Sequence, residues 1–206
     1  MITRSATAVA IILAISSQVS AGTASIGSVI SQGDLRIDNH SVSISGTVFD
    51  GSLIETGHGA ISSANVRLDG NYKVTLYGDS RGAFYRDRLT LFYGEVKVAA
   101  SERFRTEVTG LIIVATEPDT TGYISVGRDG VVNISAEAGS FRVAKDGGQF
   151  VAQVNAREPM AFHPQANGSW RQGAGSEENF GGDYPRCYVD DDDRDCDRRH
   201  HRHRSK

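Results

Sequence analysis

Apolar and polar residues alternate strictly in the central part of the chain, from Val48 to Val98. Within residues 64–68 every second residue is apolar, and the residues between them are polar. The same alternation resumes over residues 72–77, after the break at residues 69–71. Strict alternation of this kind indicates β-strands that bury one face.

The break at residues 69–71, Asp-Gly-Asn, predicts the register of a hairpin. Residues that face each other across paired antiparallel strands lie on the same side of the sheet. A three-residue loop over 69–71 places Val66 opposite Val74. Leu68 then lies opposite Tyr72, so that every apolar residue of the hairpin stays on one face. The Gly and Asn of this loop tolerate the left-handed backbone conformation that it needs.

Strand-like runs then follow one another at short intervals, with Gly- and Asp-containing turns between them. This spacing predicts an all-β fold with two facing, antiparallel-rich sheets, either a β-sandwich or a short β-helix-like roll. Residues 111–115 are apolar on both faces and are the predicted central strand. The predicted runs are 42–44, 47–49, 64–68, 72–77, 83–86, 89–92, 95–99, 104–108, 111–116, 122–126, 131–135, 140–144, 149–154 and 158–162.

The first 21 residues have the composition of a secretory signal peptide. Arg4 supplies a positive charge, residues 6–15 form a short apolar run, and residues 19–21 are a small-residue cleavage site. The run is shorter than the roughly 20 residues that a transmembrane helix needs. No other segment of the sequence is long and apolar enough to be one. We therefore predict cleavage after Ala21, with Ala24 as the second choice, and a periplasmic or secreted protein.

Composition limits the classes of partner. Removal of the signal peptide leaves about 185 of the 206 residues, enough for one domain with a sizeable core. The net charge of −3 is too small to imply a partner bound by charge alone. The β region has no basic stripe with interleaved aromatic residues, so nucleic acid is not an expected partner.

The alternation ends after Phe162, and the composition changes twice before the C-terminus. Residues 164–185 are rich in Gly, Asn and Ser over most of their length, which predicts a flexible linker. Residues 186–206 form an acidic block followed by a basic one, and have too few apolar residues to fold. The predicted organisation is a signal peptide (1–21), a leader segment that enters the domain as a loop or edge strand (22–33), a β domain (34–163), a linker (164–185) and a charged, disordered tail (186–206).

The two cysteines, Cys187 and Cys196, lie close together in the predicted tail. A closely spaced pair in an exported protein favours a disulfide. Free thiols and metal ligation remain the alternatives, because His200, His201 and His203 could join the two thiols as zinc or copper ligands. The spacing fits no standard zinc module, so neither a metal nor another cofactor is predicted.

The sequence contains no HExxH motif and no P-loop. Its one G-x-S-x-G match, residues 78–82, lies among predicted strands and turns with no helix after it, so it is not a nucleophile elbow. His58 lies between two glycines, which predicts a surface imidazole in a turn. A general acid/base cluster on one sheet face is conceivable, but solvated turns and strand ends are the favoured interpretation, and we predict no enzyme activity. The residues of that conceivable cluster are Asp79, Ser80, Tyr85, Asp87 and Glu95.

A series of glycines and short motifs within residues 50–98 resembles a known family. The series comprises Gly51, Thr56-Gly57, Val66-Arg67-Leu68, Asp69-Gly70-Asn71, Val74 to Leu76, and Gly94-Glu95-Val96-Lys97-Val98. With these residues the segment resembles the FecR domain, the periplasmic part of ferric-citrate-type regulators. Residues 104–108 and 139–143 resemble later strands of that family more loosely. Residues 121–126 stand where the family has Gly-Thr-x-Phe-x-Val, and match it poorly.

The resemblance implies an all-β domain that makes protein contacts in a bacterial envelope. Regulators of the family also have a cytoplasmic segment that holds a sigma factor, and a membrane helix; neither is expected in this chain. The leading hypothesis is therefore a non-enzymatic, exported envelope module for protein interaction or ligand sensing. One alternative is a structural or adhesive surface protein whose charged tail contacts acidic polymers, and another is an uncharacterised hydrolase. The expected partner is an envelope protein or a surface polymer.

The cysteine spacing yields a direct prediction. Cys187 and Cys196 are expected to form an intrachain disulfide in the exported protein. Mass spectrometry of a non-reduced digest should then detect one bridged peptide pair that reduction separates. Free thiols alone, or a bridge between two chains, would contradict the prediction.

Overall fold

The computed structural model describes residues 24–59, 61–100 and 103–175. Over these ranges the chain forms 17 β-strands and no helix. Accordingly, the described part of the chain contains no helix with the length and apolar character of a membrane span. The predicted all-β class is confirmed.

The first half of the chain forms nine strands. Most are short, and one is 13 residues long. In order they are β1 (Ser25–Gln32), β2 (Leu35–Ile37), β3 (His40–Val42), β4 (Ser45–Phe49), β5 (Ser52–Thr56), β6 (Ser63–Leu68), β7 (Lys73–Leu76), β8 (Arg81–Phe84) and β9 (Arg88–Ala100).

The second half of the chain adds eight strands of four to seven residues. In order they are β10 (Arg105–Val108), β11 (Leu111–Ala115), β12 (Thr120–Val126), β13 (Val132–Ala138), β14 (Ser140–Lys145), β15 (Phe150–Asn155), β16 (Met160–Pro164) and β17 (Trp170–Ala174).

The strands form one continuous hydrogen-bonded sheet that folds over at β9 into two facing parts. The part that we call the front sheet has the order β4-β1-β6-β7-β9-β12-β13-β16-β17. The back sheet has the order β3-β2-β5-β8-β9-β10-β11-β14-β15. Between the named strands of the described ranges, every ladder is antiparallel except that of β9 and β10.

Strand β9 belongs to both sheets. Its first half pairs with β8 and β10 in the back sheet, and its second half pairs with β7 and β12 in the front sheet. The change of sheet occurs at Gly94, whose φ of +95° is disfavoured for residues with a side chain. After β9 the chain returns to the back sheet, and β10 lies parallel to the first half of β9. This parallel return gives the sandwich its roll-like character.

The two sheets enclose one hydrophobic core. The side chains that point inward from both sheets form a single cluster, and its largest fully buried members include Phe84, Phe104, Phe141 and Phe162. Leu111 and Ile113 of β11 belong to this cluster. Strand β11 lies between β10 and β14, so residues 111–115 form an interior strand as predicted.

The predicted hairpin register is confirmed. Strands β6 and β7 pair with Val66 opposite Val74 and Ala64 opposite Leu76. The Leu68 N–H donates to the Tyr72 carbonyl at 3.0 Å, so the loop contains three residues. Asn71 supplies the left-handed residue of the loop, with φ of 61°.

The N-terminal limit of the domain lies earlier than the sequence predicts. Strand β1 lies within residues 22–33, for which the sequence predicts a leader segment that forms a loop or an edge strand. Instead it is hydrogen-bonded on both sides, to β4 and to β6, and it buries Ile26 and Val29. Its weak alternation concealed this role, because small Ser and Gly residues separate its apolar positions.

The C-terminal limit lies later than the sequence predicts. The alternation ends at Phe162, but β17 follows within the predicted linker and pairs with β16 over five residues. Trp170 packs against the core, and the Gln172 side-chain amide donates to the Val151 carbonyl at 2.7 Å. The predicted start of the linker at residue 164 is therefore wrong, because the domain continues through β17. This strand contains one large apolar residue, Trp170, and so lacks the alternating pattern from which strands are predicted.

Removal of β17 should destabilise the domain. A chain that ends after Gln165 loses the packing of Trp170 and the bond from Gln172, which together contribute about 3 kcal/mol. A chain that ends after Gly175 keeps both and is the matched control. Urea unfolding followed by circular dichroism should give the shorter chain the lower free energy of unfolding. Equal values for the two chains would show that β17 contributes nothing to stability.

Candidate functional site

A groove of about 1380 Å³ lies where β9 passes from the back sheet to the front sheet. We call it the corner groove. Its walls come from the ends of β2, β3, β5 and β12, and from the turn between β7 and β8. The residues that line it are 33–36, 41–43, 55–58, Asp79, Tyr93, Gly94 and 126–128.

A row of polar side chains crosses the back sheet beside this groove. The ladders place Ser41 opposite Arg36, Arg36 opposite Glu55, Glu55 opposite Arg81, and Arg81 opposite Tyr93. All five side chains point outward, and each is exposed or half-buried. We call these five residues the polar row. Charges of opposite sign are neighbours on adjacent strands, an arrangement that stabilises a sheet.

A β-bulge displays the aromatic end of the polar row. Arg81 pairs with Tyr93 but Gly82 pairs with Leu91, so Phe92 is the extra residue of β9. As a result, Phe92 and Tyr93 are both turned toward solvent, 50% and 39% exposed. Bulges commonly redirect side chains in this way next to functional sites.

The phenol of Tyr93 is held by the neighbouring carboxylate. Its hydroxyl donates to Glu55 Oε1 at 3.3 Å. Partial burial and the negative charge of Glu55 raise the pKa of Tyr93 above its ordinary value. The hydroxyl therefore stays protonated at neutral pH and remains a hydrogen-bond donor.

His58 and Asp79 form an exposed pair on another wall of the groove. His58 Nδ1 contacts Asp79 Oδ1, and the two side chains are 92% and 49% exposed. The Asp79 N–H also donates to the Gly57 carbonyl at 3.0 Å, which fixes the turn that carries the carboxylate. The prediction that His58 is a surface imidazole is confirmed. A pair this exposed contributes little to stability, and its polar atoms remain accessible to a ligand.

Buried hydroxyls hold the corner beneath the groove. Thr56 Oγ1 accepts from the Ser80 N–H at 3.0 Å, and the Thr56 hydroxyl is close to the Tyr77 and Ser80 carbonyls. Ser80 Oγ in turn accepts from the Glu95 N–H at 2.9 Å. Thr56 and Ser80 are 4% and 0% exposed. The Thr-Gly and Gly-x-Val-x-Val motifs singled out in the sequence thus meet at this corner and position its walls.

The acid/base cluster considered from the sequence is not assembled. Asp79, Ser80 and Glu95 lie together at the corner, where Ser80 is fully buried. Tyr85 and Asp87 come after the C-terminal end of β8, whereas Asp79 and Ser80 precede its N-terminal end. Tyr85 and Asp87 both contact Arg88. The five residues therefore form two separate groups.

The group at the far end of β8 forms a closed ring of ion pairs. The parallel ladder sets Arg88 directly beside Arg105, two like charges that would repel. Asp87 and Glu107 each approach both arginines, with N–O distances of 3.2 to 3.7 Å. The ring accounts for all four charges and stabilises the parallel pair, so we assign it a structural role.

A second polar cluster lies on the outer face of the front sheet. Lys97 Nζ lies 2.7 Å from Glu137 Oε2 and 3.2 Å from the Tyr123 hydroxyl oxygen. The ring of Tyr123 stacks beside the ring of Tyr77. Burial raises the pKa of Tyr77 well above its ordinary value, and the adjacent Tyr123 adds to the shift. Burial lowers the pKa of Lys97, but the bonds to Glu137 and Tyr123 outweigh it, so the net shift is upward. These groups bond to one another, so we assign the cluster a structural role.

The residues predicted for covalent and metal chemistry lie outside the described ranges. This applies to the cleavage residue Ala21, to Cys187 and Cys196, and to His200, His201 and His203. Among the described residues, no group of three or more His, Cys, Asp or Glu side chains is placed to hold a metal ion. The corner groove was not found from the sequence, because its polar row joins strands that are distant along the chain.

The close contact at the corner yields a testable difference between two glycines. A Cβ at Gly94 would lie 2.6 Å from the Asp79 carbonyl oxygen, whereas one at Gly110 would meet nothing within 4 Å. Both glycines have positive φ. Gly110→Ala should cost about 1–2 kcal/mol for the left-handed backbone alone. Gly94→Ala should cost about 3–5 kcal/mol, because overpacking adds to that strain. Equal losses in urea unfolding would contradict this account of the corner.

Comparisons with known proteins do not assign the chain to a family. No protein-family model matches the sequence, and no curated protein matches it. The resemblance of residues 50–98 to the FecR domain therefore stays a prediction made from the sequence.

Proposed function

We propose that this protein is a non-enzymatic, FecR-like module of a bacterial envelope that binds a partner protein or a ligand at the corner groove. One observation carries the proposal, namely the polar row that ends at the exposed Tyr93 on the rim of that groove. This surface combines a concave shape, charges of alternating sign and a solvent-facing aromatic residue.

The chemistry of the row favours recognition. Arg and Tyr are among the residue types that contribute most often to the energy of protein interfaces, because they combine a large contact area with hydrogen-bond donors. In the row they stand on paired strands, which hold side chains more precisely than loops do. A bound partner would therefore meet charged residues whose backbone positions the paired strands already set in one line.

The location proposed for this activity is supported by the sequence. The export signal of residues 1–21 and the FecR resemblance of residues 50–98 both indicate the envelope. A periplasmic or secreted domain that recognises another envelope component agrees with both features. The partner that we favour is another envelope protein, with a small ligand or surface polymer as the other outcomes of the test.

The test compares groove variants in a crosslinked pull-down from the native envelope. Mature protein carrying Arg36→Glu or Tyr93→Ala should capture its partner at least about tenfold less well than the unchanged protein, the usual loss when a dominant interface residue is altered. Arg142→Glu is the matched control, because Arg142 is also exposed on the outer face of the back sheet but lies on β14, away from the groove.

The pattern of losses decides the proposal. A captured species that both groove variants lose and the control keeps would support the groove as the binding site. A species that all three variants retain equally, or that only the control loses, would place the site elsewhere. Circular dichroism of each variant would exclude unfolding as the cause of a loss.

A further inference from the structure

The edge of the two sheets at the β3–β4 end lacks the usual protection of exposed strands. Strand β3 is the terminal strand of the back sheet, and β4 is the terminal strand of the front sheet. From Ser41 to Phe49 the sequence SVSISGTVF contains no Asp, Glu, Lys, Arg or Pro. Natural proteins place charges or proline on such edges, because an unprotected edge pairs with other strands.

The opposite end of the sheets is better covered. There the terminal strands are β15 and β17, and the register shift between β14 and β15 makes Val151 a bulge in the edge strand itself. The shift in the β1–β4 ladder lies in β1 and not in the edge strand β4. The Gln172 side chain of β17 donates to the Val151 carbonyl of β15, which links the two edges. The contrast makes the β3–β4 end the more open of the two among the described residues.

Apolar side chains face solvent along the open edge. Ile44, the residue before β4, is 70% exposed, and Phe49, at the end of β4, is 40% exposed. Ile30 of β1, which lies opposite Ser45, is 58% exposed. Exposed apolar side chains therefore lie at both ends of β4 and beside its first residue.

The backbone of β4 offers hydrogen-bonding groups on its open side. The Ile44 carbonyl accepts from the Ser31 N–H at 2.8 Å, and Ser45 lies opposite Ile30. In an antiparallel ladder the residues alternate between bonding to the neighbour and pointing away from it. Ser45 and Thr47 therefore direct their N–H and C=O groups away from β1. In agreement, the Phe49 N–H is free of β1 and donates to Ser52 Oγ at 3.1 Å.

We propose that β4 pairs in antiparallel orientation with β4 of a second copy of this chain. The two front sheets then become one sheet across a two-fold axis at Thr47, and the same edge serves both copies. In this register Thr47 lies opposite its own counterpart, and Ser45 lies opposite Phe49 of the other copy. The Phe49 carbonyl would accept from the Ser45 N–H, while the Phe49 N–H keeps its bond to Ser52 Oγ. Ser45, Thr47 and Phe49 are all exposed, so the outer faces of the two front sheets lie on the same side of the joined sheet. Because the edge carries no charge, two copies meet without the repulsion that normally prevents self-pairing.

This pairing is independent of the proposed groove function. The polar row lies on the outer face of the back sheet, whereas β4 is in the front sheet. Dimer formation would present two corner grooves in one particle. It would also occupy an edge that otherwise favours aggregation.

The test measures mass against concentration for the mature full-length chain by sedimentation equilibrium, under reducing conditions so that no interchain disulfide contributes. The unchanged protein should approach the mass of a dimer as its concentration rises. Thr47→Lys should raise the dimer dissociation constant about tenfold, because it places two lysines directly opposite each other. Phe150→Lys is the matched control, because Phe150 is also exposed but lies on β15, the terminal strand at the opposite end of the back sheet. This variant should dimerise like the unchanged protein.

A charge-swap experiment tests the register itself. Thr47→Glu alone should dissociate as Thr47→Lys does, and an equimolar mixture of the two variants should recover the dimer. A protein that stays monomeric at every concentration would overturn the proposal. So would a dimer that Thr47→Lys leaves intact, or two dissociating variants whose mixture does not reassociate. An envelope protein captured by an otherwise monomeric chain, and lost with Thr47→Lys, would replace the second copy with a foreign strand.

Discussion

The architecture depends on one close contact, at the corner where β9 changes sheets. Gly94 lies directly against the turn that contains Asp79 and Ser80, and a side chain at position 94 would have no room there. The buried hydroxyls of Thr56 and Ser80 bond the end of β5, this turn and the backbone of Glu95 together. Because β9 is shared by both sheets, the two sheets can enclose a single core only if this corner holds its geometry.

The same corner shapes the surface. The bend and the adjoining bulge turn Phe92 and Tyr93 outward, and bring the ends of strands from both sheets around one groove. The polar row then follows from the ladders alone, since Arg36, Glu55 and Arg81 occupy one transverse line of the back sheet. Fold and candidate site therefore have a common origin, and the residues that carry the FecR resemblance mostly serve the fold.

Local sequence predicted the elements well where alternation and turn chemistry agreed. In the β6–β7 hairpin, the apolar pattern and the Asp-Gly-Asn loop allowed a single register, and that register is the one that forms. Prediction was less accurate at both limits of the domain. Strand β1 is dominated by small residues and β17 contains one large apolar residue, so both are defined by neighbours rather than by their own pattern.

The sequence by itself determined the all-β class, the mostly antiparallel pairing and the inward face of most strands, because side-chain alternation is a local property. Only the tertiary structure decided that β9 spans two sheets, that Tyr93 ends a row of alternating charges, and that β4 is an uncharged open edge. These features depend on which strands become neighbours. Ser41 and Tyr93 belong to one row although they are far apart in the chain, and no local pattern encodes their alignment. It is set by the shared core and by the bend at Gly94.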